Sequence, residues 1–165
     1  AYTHKTHEKS VEIENEKVKK IKWLNIFLTG VTFISFSASI ILKDENWIIY
    51  VGIVLAGITL AFNAFVLNFN PEKQAQDHKY IAKELWYIRE KYVHLIADIM
   101  NDTLNEDEII KRRDNLINEL RVIYKFAPQT TYKAYTLAGV GLKENEELTF
   151  SDEEINNFLP KSLHV

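Results

Sequence analysis

Basic and aromatic side chains in the C-terminal half of the chain are the groups best suited to chemistry, and that chemistry is the binding of an anion. Residues 111–143 contain seven Lys or Arg and two acidic residues, a local balance of +5. Such cations hold phosphates, and aromatic rings beside them can stack on nucleobases. A solvated basic face that pairs with the acidic residues 144–154 explains the charge alone equally well. The candidate ligand-binding residues are Arg89, Arg112, Arg113, Lys125 and Tyr132.

Two of these arginines, Arg89 and Arg113, fall among apolar residues at helical spacing. A guanidinium on an inward face needs a partner, because an unpaired buried charge is costly. That partner is a structural carboxylate, an anionic ligand or another subunit, and the sequence leaves the three open.

Nothing in the sequence predicts an enzyme, a cofactor or a metal centre. The phosphate-loop, dinucleotide, nucleophile-elbow and zinc-protease motifs are absent, and without cysteine there is no disulfide or thiolate site. His4 and His7 have a possible ligand spacing, but we expect them to lie in a flexible terminus. His78 and His94 point in different directions from one predicted helix, so they cannot share a metal within it. A net charge of −3 argues against a strongly basic nucleic-acid coat.

The elements that must position these residues begin with two apolar runs, residues 23–42 and 47–69, which contain no ionisable side chain except tyrosine. Each is long enough, at about 1.5 Å per residue, to cross a hydrocarbon core of about 30 Å. The alternative is a buried hairpin in a soluble fold, but so small a remainder could not surround two helices that are apolar on nearly all sides. The sequence therefore predicts a transmembrane hairpin.

Lysines flank the hairpin on both sides, whereas the loop between the runs carries only Lys43. The positive-inside rule then places both termini in the cytoplasm. We predict an all-α membrane protein with three parts: a cytoplasmic N-terminal segment (1–22), the hairpin (23–69) and a cytoplasmic helical domain (70–165). The flanking lysines are Lys17, Lys19, Lys20, Lys22, Lys73, Lys79 and Lys83.

Polar residues inside the hairpin form a row on one face of the first helix. If several copies assemble, this face could line a water path, and a phenylalanine within it could act as a hydrophobic constriction. The alternative is hydrogen bonding between helices. On the second helix, Gly52 and Ala56 have the small-xxx-small spacing that is typical of helix packing. The candidate pore-lining residues are Asn25, Thr29, Thr32, Phe36 and Ser39.

Capping signals divide the remaining chain into four helices. We predict a long helix from about Pro71 to Met100 and a second that starts after Asn105 and ends at Ala127-Pro128. A third starts at Thr130 or Thr131, and small residues within it permit close packing. Ser151 and Glu154 form a capping box for a short fourth helix that Pro160 stops. The small residues are Ala134, Ala138 and Gly141.

Three segments together resemble the SLATT family, and the resemblance extends over about residues 10 to 163. The segments are HKYIAKELWYIREKY, RRDNLINELRVIYKFAPQTTYKAY and FSDEEINNFLP. The distinctive parts are Arg113-Asp114 with Tyr124 to Thr130, and Glu154 to Pro160.

The resemblance implies a bacterial membrane effector with two membrane helices, often encoded beside a nucleotidyltransferase, that oligomerises into a pore and depolarises the cell during phage infection. In cyclic-oligonucleotide systems of this family a cyclic nucleotide opens the pore. In Hailong-type systems an oligodeoxyadenylate strand holds a tetrameric channel shut. No ligand residue of the family can be carried over, so the ligand-binding candidates above rest on their own chemistry.

The combined hypothesis is a homo-oligomeric ion channel of the bacterial inner membrane, with a tetramer favoured by the resemblance, gated by a nucleotide or single-stranded oligonucleotide in abortive antiphage defence. One alternative is a non-conducting membrane anchor or adaptor for a partner nucleotidyltransferase. Another is an effector that disrupts membrane lipid without a defined pore.

Overall fold

The computed structural model describes residues 1–42 and 47–164, and every element in them is helical. The predicted hairpin loop, with Lys43, lies outside the described residues, so its orientation stays a prediction. The all-α fold class is confirmed for the described part of the chain. The elements are α1 (Tyr2–Ile41), α2 (Trp47–Phe69), α3 (Pro71–Met100), α4 (Glu106–Phe126), α5 (Tyr132–Lys143), α6 (Asp152–Phe158) and a 3-10 turn (Lys161–Leu163).

Side-chain caps fix the starts of α4, α5 and α6, as the sequence predicts. The Asn105 side chain accepts a hydrogen bond from the Glu108 backbone N–H, and the Glu108 carboxylate accepts one from the Asn105 N–H. Ser151 and Glu154 form the same reciprocal box at α6, and the Thr131 side chain caps α5. Each cap satisfies backbone N–H groups that have no partner within the helix.

The chain forms two compact units. Their boundaries do not coincide with the positions at which the sequence changes between charged and apolar residues. The helical unit comprises Ala1–Ser10 and Asp77–Val165, and the hairpin unit comprises Val11–Gln76. The first division falls inside α1, which continues without a break past residues 22/23, where the charge pattern changes. The second falls inside α3, a few residues after this helix begins at Pro71.

In the hairpin unit, apolar side chains point outward along both helices. Trp23 is 73% exposed and Leu60 is exposed to the same extent. The two apolar stretches are long enough to cross a membrane, and almost none of their residues are buried within the described part of the chain. A core helix of a soluble protein would be mostly buried, so this exposure argues against the soluble alternative.

A small buried cluster of the helical unit lies between α3 and α4. It consists of Ile88, Leu95 and Leu116. The partly buried residues packed against it are Tyr92, Leu104, Leu120 and Ile123. On α5, the small residues Ala134, Ala138 and Gly141 are buried, which confirms that they allow neighbouring parts of the unit to pack closely against this helix.

Candidate functional site

Arg112 and Arg113, the central ligand-binding candidates, lie side by side near the start of α4 and are exposed. The Arg112 guanidinium donates to Asp98 on α3 at 2.7 Å. Arg113 donates through two nitrogens, at 2.9 and 2.7 Å, to one oxygen of Asp114. The prediction that Arg113 faces inward is thus wrong, because only part of that helix face is covered and the guanidinium is exposed to solvent. Its partner is a carboxylate, one of the three kinds that the sequence left open.

The other three ligand candidates do not converge on Arg112 in the described contacts. Arg89 donates to Glu90 at 2.7 Å, and its guanidinium lies 4.7 Å from the ring centroid of Trp86. Lys125 lies 5.7 Å from the Phe126 ring centroid. Tyr132 is 84% exposed. These residues can join one ligand only if the ligand is extended or spans more than one copy.

Arg112 opens onto a groove of about 300 Å³ between α3 and α4. Two ion pairs cross it: Arg112 to Asp98 at 2.7 Å and Lys91 to Glu119 at 2.6 Å. The hydrogen bond that Lys91 donates to Glu119 raises the pKa of Lys91, so this amine stays charged. Exposed pairs of this kind contribute about 0–1 kcal/mol, so a phosphate can replace the carboxylates at little cost. The groove is lined by Lys91, His94, Leu95, Asp98, Arg112, Asn115, Leu116 and Glu119.

A second groove of about 310 Å³ continues along the same side of α3 and α4 and shares Glu119 with the first. Its lining is mostly aromatic and aliphatic, so it lacks the cations that a phosphate needs. The two grooves therefore offer different chemistry along one face. The second is lined by Tyr80, Ile81, Glu84, Tyr87, Ile88, Glu119, Val122, Ile123 and Phe126.

Sequence reasoning missed a polar cluster formed by the first ten residues, where we expected a flexible terminus. In the helical unit, Nδ1 of His7 lies 2.9 Å from Nδ1 of His78, and the His4 ring lies 5.1 Å from the Trp86 ring. Burial, then His78 and His4, lowers the pKa of His7 to about 4. Burial also lowers the pKa of His4. One imidazole must donate and the other accept, so the pair cannot hold a proton on both facing nitrogens.

Ion pairs also attach the first ten residues to the rest of the helical unit. The Glu147 carboxylate accepts from the Lys5 amine at 2.5 Å and from the Lys9 amine at 3.3 Å. Hydrogen bonding from Lys5, with a further bond from Lys9, lowers the pKa of Glu147 to about 2 although its partial burial opposes the shift. The partners are more than a hundred positions apart, so no local pattern in the sequence could have indicated this contact.

The predicted pore face of α1 is partly turned toward α2 within one chain. The Asn25 amide donates to Asn63 at 2.7 Å, and Thr29 donates to Asn25 at 3.4 Å. The Phe36 ring lies 3.3 Å from the position that a Cβ on Gly52 would occupy. This is the interhelical hydrogen bond that the sequence offered as the alternative, and the pore-lining role stays a prediction.

The remaining hydroxyls of that face bond to their own helix. Thr32 donates to the Leu28 carbonyl and Ser39 to the Phe36 carbonyl, both at 2.7 Å. Ala56 is half-buried. In the described part of the chain, no group of three or more His, Asp or Glu side chains is placed to hold a metal ion.

A comparison with family models matches residues 1–154 to "SMODS and SLOG-associating 2TM effector domain family 4". Comparisons with curated proteins and with solved structures give no match.

Proposed function

We propose that this chain, which belongs to family 4 of the SMODS and SLOG-associating 2TM (SLATT) effector domains and is thus a membrane effector of a defence system, acts as a gated ion channel. In this proposal the chain assembles as a homo-oligomer, a tetramer by family resemblance, in the bacterial inner membrane with both termini in the cytoplasm. A nucleotide or single-stranded oligonucleotide controls it, and conduction depolarises the cell in abortive antiphage defence. The family match confirms the resemblance inferred from the sequence.

The observation that carries the proposal is the hairpin, whose apolar side chains are exposed on nearly all sides while one face of α1 carries a polar row. Lipid covers such a surface in the membrane. Two helices cannot enclose a water path, so a pore requires several copies. The polar row then lines the path, with Phe36 as the constriction.

Within one chain Asn25 is bonded to Asn63 and Phe36 packs at Gly52. In the proposed channel this contact is the closed arrangement, because the polar row faces α2 and the ring is fixed. Opening turns the α1 face away from α2 and breaks the Asn25–Asn63 hydrogen bond.

The ligand site of the proposal is the groove at Arg112, with Arg113 beside it. Both guanidiniums are exposed and are held by carboxylates that a phosphate chain can displace. Phosphate binding of this kind weakens steeply with salt.

Flux into liposomes tests conduction. Purified protein is reconstituted with a potential-sensitive dye and assayed without ligand, with a cyclic dinucleotide and with a short oligodeoxyadenylate. We expect ion flux in at least one of these states and a different flux in another. Absence of flux in all three would remove the channel proposal, and equal flux in all three would remove the gating.

A binding titration tests the ligand site. Arg112→Glu with Arg113→Glu should weaken binding of the oligodeoxyadenylate about tenfold or more and reduce the salt slope by about 0.7 per lost phosphate contact. Lys161→Glu, a charge reversal in the tail, is the matched control and should bind as the wild type does. Unchanged binding by the double variant would mean that the ligand binds elsewhere.

A non-conducting adaptor remains the second candidate, since the acidic residues 144–154 are largely exposed and could dock a nucleotidyltransferase. Phe36→Ala separates the two. Loss of the constriction should make a channel leak and slow growth, whereas an adaptor with this change should leave growth unaffected. Release of large dyes as fast as ions would instead favour lipid disruption without a defined pore.

A further inference from the structure

The α3–α4 helix pair exposes a second apolar face, opposite the grooves. Ile110, Ile117 and Tyr124 recur every seven residues on α4, and this spacing keeps side chains on one face of a helix. They are 39%, 50% and 47% exposed. We call these three residues the α4 stripe.

The stripe and the grooves lie on opposite sides of the core. At about 100° per residue, Ile117 and Tyr124 lie about 80–100° to one side of the buried Leu116, whereas Val122 and Phe126 lie about 80–120° to the other. Val122 and Phe126 line the second groove. One helix pair therefore carries two different apolar faces, pointing in opposite directions.

The charges at the two faces are complementary. Arg113 and Arg121 flank the stripe, one turn to either side of Ile117, and Arg121 has no hydrogen-bond or ion-pair partner within the described residues. Glu84 and Glu119 line the second groove. Glu119 already pairs with Lys91, whereas Glu84 forms no ion pair within 4.0 Å in the described part of the chain.

Two unlike but complementary faces on opposite sides of a subunit favour head-to-tail contacts over a two-fold dimer, which needs one face that matches itself. Head-to-tail contacts form a ring where the rotation between copies closes, and the proposed pore requires such a ring. We infer that the α4 stripe of one copy packs into the second groove of the next copy, with Arg121 facing Glu84. Where the helix pairs of neighbouring copies run side by side, residues at the same level along the pair meet. Glu84 and Val122 line the same groove, so Arg121, the neighbour of Val122, lies near the level of Glu84 along the helix pair.

This inference rests on the proposed function for the need of a ring, and it adds which surfaces build it. The groove at Arg112 shares Glu119 with the groove that receives the stripe. A ligand at Arg112 therefore binds directly beside the contact between copies.

Charge exchange within one chain tests the contact. In a head-to-tail ring every contact joins position 121 of one copy to position 84 of the next. Arg121→Glu and Glu84→Arg each place like charges at every contact and should reduce the oligomer fraction in detergent about tenfold, by mass photometry. The double variant Arg121→Glu/Glu84→Arg restores opposite charges and should recover the wild-type oligomer, whereas Lys133→Glu on α5 should leave it unchanged.

A cysteine pair gives a second readout that does not depend on the stability of the charge variants. The chain contains no cysteine, so Arg121→Cys/Glu84→Cys has no background. Oxidation in membranes should give a ladder of linked copies on a non-reducing gel that stops at the ring size. Either single cysteine should stop at a dimer at most.

The outcomes separate this contact from channel function, because neither assay involves ligand or flux. A restored double variant with a ladder supports the contact even if liposomes show no flux. Failure of the double variant to reassemble, together with a missing ladder in a protein that keeps its helical circular dichroism, would overturn the contact while leaving conduction to be judged by flux. Unaffected assembly in both single variants would overturn it as well.

Discussion

The two ends of α1 show opposite relations between polarity and burial, although they belong to one helix. In residues 1–10 most polar side chains are covered, and His7 is only 2% exposed. In residues 23–41 the apolar side chains are uncovered, and Phe33 is 72% exposed. Protein interiors are usually apolar, but the first end buries polar side chains. Protein surfaces are usually rich in polar groups, but the second end exposes a continuous apolar surface.

The difference teaches which surroundings each end requires. The covered polar groups of the first end have specific protein partners: His7 contacts His78, Lys5 and Lys9 bind Glu147, and Ser10 donates to the Thr6 carbonyl. Such partners offset the cost of removing polar groups from water. The uncovered apolar groups of the second end are left exposed by the described part of the chain, and they need lipid or another copy.

The largest effect should come from placing a charge in the second end. Ile34→Arg introduces a guanidinium near the middle of the apolar run, which costs about 2.5–3.5 kcal/mol for membrane insertion. We expect a marked loss of protein from the membrane pellet after alkaline carbonate extraction. Glu16→Arg places the same side chain on the same helix outside the apolar run and should stay in the pellet. Equal extraction of the two variants would contradict the distinction between the ends.

The helices could be predicted because their start signals are local, whereas contacts between distant residues could not be predicted. Asn105, Thr131 and Ser151 act within three or four residues of their own position, so the starts of α4, α5 and α6 follow from the sequence. The burial of His4 and His7 depends on contacts with Trp86 and His78, which are distant in the sequence. A polar segment with the same residues could equally be exposed, so the sequence alone does not predict its burial.

The candidate sites were predictable in type but not in arrangement. Basic residues on α4 were predicted to be accessible to an anion, and Arg112 is exposed. Its partner Asp98 lies on another helix, so the groove they share depends on how α3 and α4 pack. For the row at Asn25, the sequence left pore lining and helix contact open, and a single chain reveals only the contacts made within it.

A smaller effect, of up to about 3 kcal/mol, should appear when acid disturbs the first end. Folded His7 has a pKa of about 4 and its ordinary value is 6.5, so the unfolded segment binds more protons between these pH values. The contribution is fully present above about pH 6.5 and is lost as the pH falls toward 4. Protection factors for amide hydrogen exchange in the peptide that covers residues 1–10, which correct for the slower chemical exchange at low pH, should fall as the pH decreases over this range.

Two controls isolate the histidines. His7→Phe removes the titrating ring and should flatten the pH response, although His4, whose pKa is also lowered, keeps part of it. Glu147, whose pKa is lowered from 4.5 to about 2, loses its contribution only as the pH falls below about 4.5, so most of the change between pH 6.5 and 4.5 comes from the histidines. Protection that is equal at pH 7.5 and pH 4.5 would show that the His7–His78 contact does not hold the segment.

The smallest effect tests whether a contact between α1 and α2, in addition to the surrounding lipid, stabilises the second end. A Cβ at Gly52 would lie 3.3 Å from the Phe36 ring, whereas a Cβ at Gly57 would meet nothing within 4 Å. Replacing a helical Gly by Ala favours the helix by about 0.8–1.0 kcal/mol, and crowding a packed site costs about 1–3 kcal/mol. Gly57→Ala should therefore leave hairpin stability unchanged or raise it, and Gly52→Ala should lower it in titration with a denaturing detergent. Phe36→Leu should relieve the Gly52→Ala loss if the ring is its cause, so a double-mutant cycle measures the contact directly. Equal behaviour of the two alanine variants would mean that Phe36 and Gly52 are not coupled, and the Asn25–Asn63 hydrogen bond would then be the described contact left to hold α1 against α2.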